Sequence, residues 1–149
     1  DRLDILDSLF LTVLIPPMVH RELVGRIGEE WSAIEKGLQT FIEITEVPEV
    51  PRDTAVALMA IDEGERQAIC LAISVGTEAL LLLDDKAGRT TAKQLGVRVT
   101  GTVGLLLLAK ERRLIPSVTE YLEALRLYGY WLSDEIIAVA IHEAGEEKV

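Results

Sequence analysis

From Asp62 to Gly104 the apolar positions change rhythm along the chain, predicting helix, strand, acidic turn, helix, strand and a glycine-containing turn in succession. Ile69, Leu71, Ala72 and Val75 recur at helical spacing and predict a buried face, with Gly76 as the stop. Ala79 to Leu83 is an unbroken apolar run, the pattern of a parallel strand covered on both sides. Helix and strand alternating in this way predict a parallel α/β unit. The run ends on Asp84 and Asp85, and open α/β sheets hold ligands at their strand ends. Two adjacent carboxylates there are a candidate metal site.

Upstream, Asp1 to Phe10 reads as a short amphipathic helix, and Leu11 to Ile15 as a strand stopped by Pro16-Pro17. Proline is accepted in a first helical turn, so Pro17 to Val24 forms the next helix, with Gly25 after it. Gly28 to Leu38 predicts a helix turning Trp31 and Ile34 inward, and Phe41 to Val47 alternates like an edge strand. Pro48 and Pro51 mark a linker, after which Asp53 is expected to cap a short helix through Ile61. Downstream, a strongly apolar helix through Leu105 to Ala109 ends in Lys110-Glu111-Arg112-Arg113. Pro116 and Ser117 open a helix to about Tyr128, and Ser133 caps a last one through Ala144, closed by Gly145.

A length of 149 residues suits one domain with a full core, and 49% apolar against 5% aromatic residues makes that core aliphatic. No apolar run approaches the roughly 20 residues of a membrane span, and no secretory signal is visible, so a cytoplasmic protein is expected. Cys70 stands alone on an apolar helix face, a core position rather than a disulfide partner. The net charge of −10 argues against binding nucleic acid through bulk electrostatics. It does not exclude a nuclease, because bound divalent ions reverse the sign of an acidic pocket. The basic clusters Lys86, Arg89, Lys93 and Lys110, Arg112, Arg113 read first as solvated helix faces.

Two features carry more than one reading. Glu65 stands three residues after Asp62, the spacing of a capping box in which it reaches back to Asp62, yet a loop could equally bring it to the strand end with Asp84. Thr100-Gly101-Thr102-Val103-Gly104 could offer backbone N–H groups to a phosphate, or be a tight strand-to-helix turn capped by Thr102. It lacks a dinucleotide fingerprint and a Walker lysine, which argues against a nucleotide cofactor. His20 and His142 have no partner at ligand spacing, and neither Cys70 nor Ser74 has an adjacent base.

Gly64-Glu65-Arg66-Gln67-Ala68-Ile69, Leu82-Leu83-Asp84-Asp85-Lys86-Ala87-Gly88-Arg89, Val99 to Leu106 and Trp131 to Glu146, in that order, resemble a PIN-domain subfamily over nearly the whole chain. The resemblance implies an α/β fold, three layers α/β/α with a central parallel sheet, and a ribonuclease dependent on Mg²⁺ or Mn²⁺, toxin-type or RNA-processing. It assigns Glu22, in Val19-His20-Arg21-Glu22-Leu23, together with Glu65, Asp84 and Asp85 as catalytic and metal-holding acids. Thr100, Thr102 and Arg89 are expected to orient water or a substrate phosphate, and Arg89 could instead pair with Asp85. RNA as substrate, an antitoxin partner and a homodimer are further expectations of the resemblance, and a catalytically silent module binding RNA or protein is the alternative. The family's first strand lies mid-sheet and ends in a catalytic aspartate, whereas Asp1 is expected to fall within the helix that follows it, so this sequence is expected to lack that strand.

Overall fold

The computed structural model describes residues 2–25, 28 and 31–147. They form two compact units, Asp1–Thr100 and Gly101–Val149. The first begins with α1 (Asp4–Leu9) and β1 (Val13–Ile15), continues through α2 (Pro17–Gly25) and α3 (Trp31–Leu38) to β2 (Ile42–Ile44), and then α4 (Arg52–Ala57). It is completed by α5 (Glu63–Val75), β3 (Leu81–Leu82), α6 (Lys86–Gln94) and β4 (Val99–Thr100).

All strand pairing among the described residues is parallel, as expected for an α/β chain, and each parallel pair is joined by helical crossovers. It forms two ladders of two strands each. Val13, Leu14 and Ile15 pair with Ile42, Glu43 and Ile44, and Leu81 and Leu82 pair with Val99 and Thr100. The main core of this unit gathers Leu58, Ile69, Cys70, Ala72, Leu81, Leu83 and Ala92, so α5, the second ladder and α6 share one aliphatic interior. Cys70 is buried within it, and burial pushes its thiol up, with Arg66 only partly opposing that.

Several expectations are corrected. β1 starts at Val13, whose N–H donates to Phe41 O; Leu11 lies before the reach of β2 and is fully exposed. β2 likewise covers only part of the alternating Phe41 to Val47 run. The Ala79 to Leu83 run is not covered on both sides: Leu81 and Leu83 are buried while Leu82 is 43% exposed, the period-2 alternation of a strand with one covered face. On α5 the buried residues include Ile69 to Ala72, and Val75, the last residue before Gly76 (φ +83°), is exposed. Pro51, not Asp53, occupies the position before α4; Asp53 sits inside the first turn, where its charge faces the positive end of the helix. Trp31 and Ile34 are half-buried, and the start expected for their helix at Gly28 includes positions outside the described residues.

The second unit comprises α7 (Thr102–Glu111), α8 (Val118–Leu127) and α9 (Asp134–Glu143), each packed on the other two. Gly101, not Thr102, is the residue before α7, and no side chain caps it there. Ser117 and Ser133 do cap their helices, accepting from Glu120 N and Ile136 N. After α9, Gly145 takes φ +67°, the left-handed turn that glycine adopts without strain, and the chain reverses. That reversal brings the Glu146 carboxylate to the start of α8. It accepts from Ser117 Oγ (2.9 Å), Val118 N (2.7 Å), Thr119 N (2.9 Å) and Thr119 Oγ1 (2.7 Å), with Lys110 Nζ at 3.0 Å. Among the described residues no helix is long and apolar enough to cross a membrane.

Candidate functional site

Two helix starts and the second turn of α2 bring acidic side chains together in the first unit. Pro16 and Pro17 end β1 and open α2, which carries Glu22. Asp62 caps α5, its Oδ1 accepting from Gly64 N at 3.2 Å, and Glu65 follows within the first turn. Asp85 caps α6, its Oδ2 accepting from Gly88 N at 2.7 Å. Asp62, Glu65 and Asp85 are favoured where they stand because the first-turn N–H groups lack helical acceptors and carry partial positive charge.

Two glycines set the spacing between them. A Cβ on Gly64 would lie 2.9 Å from Glu22 Oε1, so the missing side chain is what lets the Glu22 carboxylate rest against the start of α5. A Cβ on Gly88 would lie 3.1 Å from Glu65 Oε2 and 2.7 Å from Leu83 Cδ2, so Glu65 is seated on α6 beside the residue that Asp85 caps. Glu65 is thus directed across to the next helix, whereas the capping-box reading had it reaching back to Asp62. Asp62 still caps α5, but through Gly64 N and not through Glu65 N as the box would have it.

The electrostatics follow from this arrangement. Burial raises the Glu65 carboxyl above its ordinary value, and the charges of Asp85, Asp62 and Glu22 raise it further. No ion pair among the described residues involves Glu22, Glu65 or Asp85. The nearest arginine along α5, Arg66, is engaged by Glu63, which also accepts from Gln67 Nε2 at 2.7 Å. Among the described residues, Glu22, Glu65 and Asp85 therefore concentrate negative charge without an ion pair to balance it.

The other expected residues are placed as follows. Asp84 stands exposed between Leu83 and the cap Asp85. Arg89 meets Asp85 through the main chain, Arg89 N donating to Asp85 O at 3.0 Å; the expected side-chain pairing is not made, because Asp85 turns its carboxylate to Gly88 N. Thr100 lies in β4, its carbonyl accepting from Leu83 N at 2.9 Å, and Thr102 belongs to the second unit. His142 pairs with the exposed Glu147. Asp62, Gly64 and Gly88 were not anticipated as parts of the site. The available signal was a glycine in the first turn of two helices, where it costs about 1 kcal/mol against alanine and calls for a packing reason.

Hard carboxylate oxygens are the donors Mg²⁺ and Mn²⁺ take, and Mg²⁺ commonly uses one or two carboxylates with water and substrate phosphate completing its shell. Glu65 and Asp85, flanked by Glu22, fit that donor set. Among the described residues no group of three or more His, Cys, Asp and Glu side chains is gathered tightly enough to be a complete cage.

No curated protein and no solved structure matches the chain. A family model described as a PIN domain matches residues 1–146, running through both units. With nearly the whole length matched, and with acidic helix starts gathered beside parallel strands, the chain belongs to the PIN-domain family, whose fold is nuclease-like.

Proposed function

We propose that the protein is a divalent-metal-dependent ribonuclease of PIN type, hydrolysing RNA phosphodiesters with Mg²⁺ or Mn²⁺. The observation that carries this reading is Glu65: a carboxyl pressed upward by burial and by Asp85, Asp62 and Glu22, seated against Gly88 beside the cap Asp85, with no ion pair made by Glu22, Glu65 or Asp85 among the described residues. Such a cluster is stabilised by a bound cation. Glu65 and Asp85 would hold the ion, with Glu22 and Asp84 as the flanking acids. When bound, the ion supplies the positive charge that activates water and stabilises a phosphoryl group in displacement.

The protein's own groups would do the rest. Gly88 and Gly64 hold Glu65 and Glu22 at fixed places, so the acids are set before substrate arrives. Arg89, in the first turn of α6 and in no ion pair among the described residues, is a donor for a substrate phosphate, and Thr100 at the end of β4 is a further polar group for it. A toxin-type enzyme with an antitoxin protein, acting as a homodimer, is the finer form of the same reading. The exposed Leu127, Tyr128 and Trp131 of the second unit are apolar side chains that a protein partner would cover.

Glu65→Gln keeps the shape of the side chain and removes its charge. Mn²⁺-dependent cleavage of single-stranded RNA should fall by on the order of 100-fold or more, the upper end of what outer-shell partners alone cost. Cleavage by this variant at the unaltered rate, or cleavage indifferent to chelator, would overturn the reading. The second reading, a silent module that binds RNA or protein, is favoured by the lack of a complete three-ligand group among the described residues. It predicts RNA binding with no cleavage at any Mn²⁺ concentration.

A further inference from the structure

Gln67 lies on α5 one turn after Gly64, and it bridges α5 to the start of α2: Met18 N donates to Gln67 Oε1 at 3.1 Å. Met18 is the second residue of α2, so its N–H is one of those that a helix leaves without an internal acceptor. At its other end Gln67 Nε2 donates to Glu63 Oε1 at 2.7 Å, which fixes the amide's orientation and turns its oxygen toward Met18. Met18 and Glu22 are four residues apart and share a face of α2; Gln67 and Gly64 are three apart and share a face of α5. The α2–α5 contact therefore has two successive rungs. One is the Met18–Gln67 hydrogen bond, and the next is the Glu22 carboxylate seated on Gly64.

We propose that Gln67 is a positioning residue for the acidic site: by gripping the first turn of α2 it sets how far that helix slides along α5, and so where Glu22 sits. A slide of α2 by even one residue's rise, about 1.5 Å, would carry the Glu22 oxygen off the glycine seat. Gln67 touches neither substrate nor ion; it acts through Glu22. This inference rests on the ribonuclease reading for its consequence, but the placement of Glu22 can be measured without it.

The test uses the full chain in four forms: unaltered, Gln67→Ala, Glu22→Gln and the double variant, each titrated with Mn²⁺ by calorimetry. Gln67→Ala should weaken Mn²⁺ by roughly 10-fold, the lower end for a residue behind an ion's ligands. Adding Glu22→Gln to it should cost nothing more, because Glu22 is already displaced. The exchange of partners Glu63→Gln with Gln67→Glu keeps an acceptor for Met18 N–H and a donor to position 67, and should restore affinity. Independently of any ion, the nuclear Overhauser contact between the Glu22 side chain and Gly64 Hα should be lost in Gln67→Ala and regained in the exchanged pair. Strictly additive losses in the double variant, or an unchanged Glu22–Gly64 contact in Gln67→Ala, would overturn the proposal. Absence of Mn²⁺ binding by the unaltered protein would refute the ribonuclease reading instead, and the Overhauser contact would then decide the role of Gln67 alone.

Discussion

Gly88→Ala should lose both stability and divalent-ion binding, and the two losses have one cause. The new methyl would stand 2.7 Å from Leu83 Cδ2 and 3.1 Å from Glu65 Oε2, and these neighbours lie on opposite sides of the site's boundary. Leu83 belongs to the aliphatic core with Ile69, Leu81 and Ala92, which leaves it little room to move. Overpacking of this kind costs about 1–3 kcal/mol, visible as a lower urea midpoint. Glu65 has a flexible end and would swing away, which separates it from Asp85 and weakens the ion. Gly64→Ala is the informative contrast, because the three atoms nearest its new methyl all belong to the Glu22 carboxylate, at 2.9 to 3.5 Å. That change should disturb the site while leaving stability nearly unaltered. Equal stability and equal Mn²⁺ affinity in Gly88→Ala would show that the glycine seats are incidental.

Glu146→Ala should strongly destabilise the second unit. Burial alone would push this carboxyl up, but hydrogen bonds from the Thr119 side chain and N–H, from Val118 N–H and from Lys110 outweigh it and hold the group well below the usual carboxylate range. Only 14% of its side chain is exposed, so water replaces few of these partners when the carboxylate is removed. Breaking a charge-assisted cluster by deleting one member costs about 3 kcal/mol, since the Val118 and Thr119 N–H groups at the start of α8 lose their acceptor while Lys110 keeps Pro116 O. Glu146→Gln should recover little of it, because its amide N–H₂ would face donors. The pH dependence follows in sign: with the folded carboxyl depressed, its stabilisation is complete above the ordinary carboxylate value and is lost as pH falls below it. The stability difference between the unaltered protein and Glu146→Ala, followed by urea unfolding from neutral pH into acid, should therefore shrink steadily. A difference that stays constant would mean the contacts, and not the charge, hold the helix.

Local features of this chain were legible because their causes are local. Ser117 and Ser133 cap their helices as serine before an amphipathic run does, and Gly76 and Gly145 close theirs with positive φ. The parallel α/β rhythm was equally readable, since crossover helices between apolar runs leave little choice of pairing. What failed were statements about coverage. Nothing in the run Ala79 to Leu83 tells whether a second layer lies over Leu82, and Leu82 is exposed. Asp53 was a sound cap candidate until Pro51, with its fixed φ, took the position before the helix.

The acidic site divides in the same way. Asp85 at a strand end was visible from the apolar run before it. The destination of Glu65 was not, because the capping-box spacing with Asp62 is local whereas its actual seat, Gly88, comes from a different helix. Gln67 carried no signal at all: a polar residue among helix formers reads as surface until Met18 is found beside it.

The central claim is that Glu65 and Asp85 hold a divalent ion beside Glu22. Crystals of the protein soaked in Mn²⁺ and measured for manganese anomalous scattering test this most directly. A single strong peak bonded to carboxylate oxygens of Glu65 and Asp85, and lost in crystals of Glu65→Gln, is the expected result. A peak elsewhere, or well-ordered carboxylates with none between them, would contradict it.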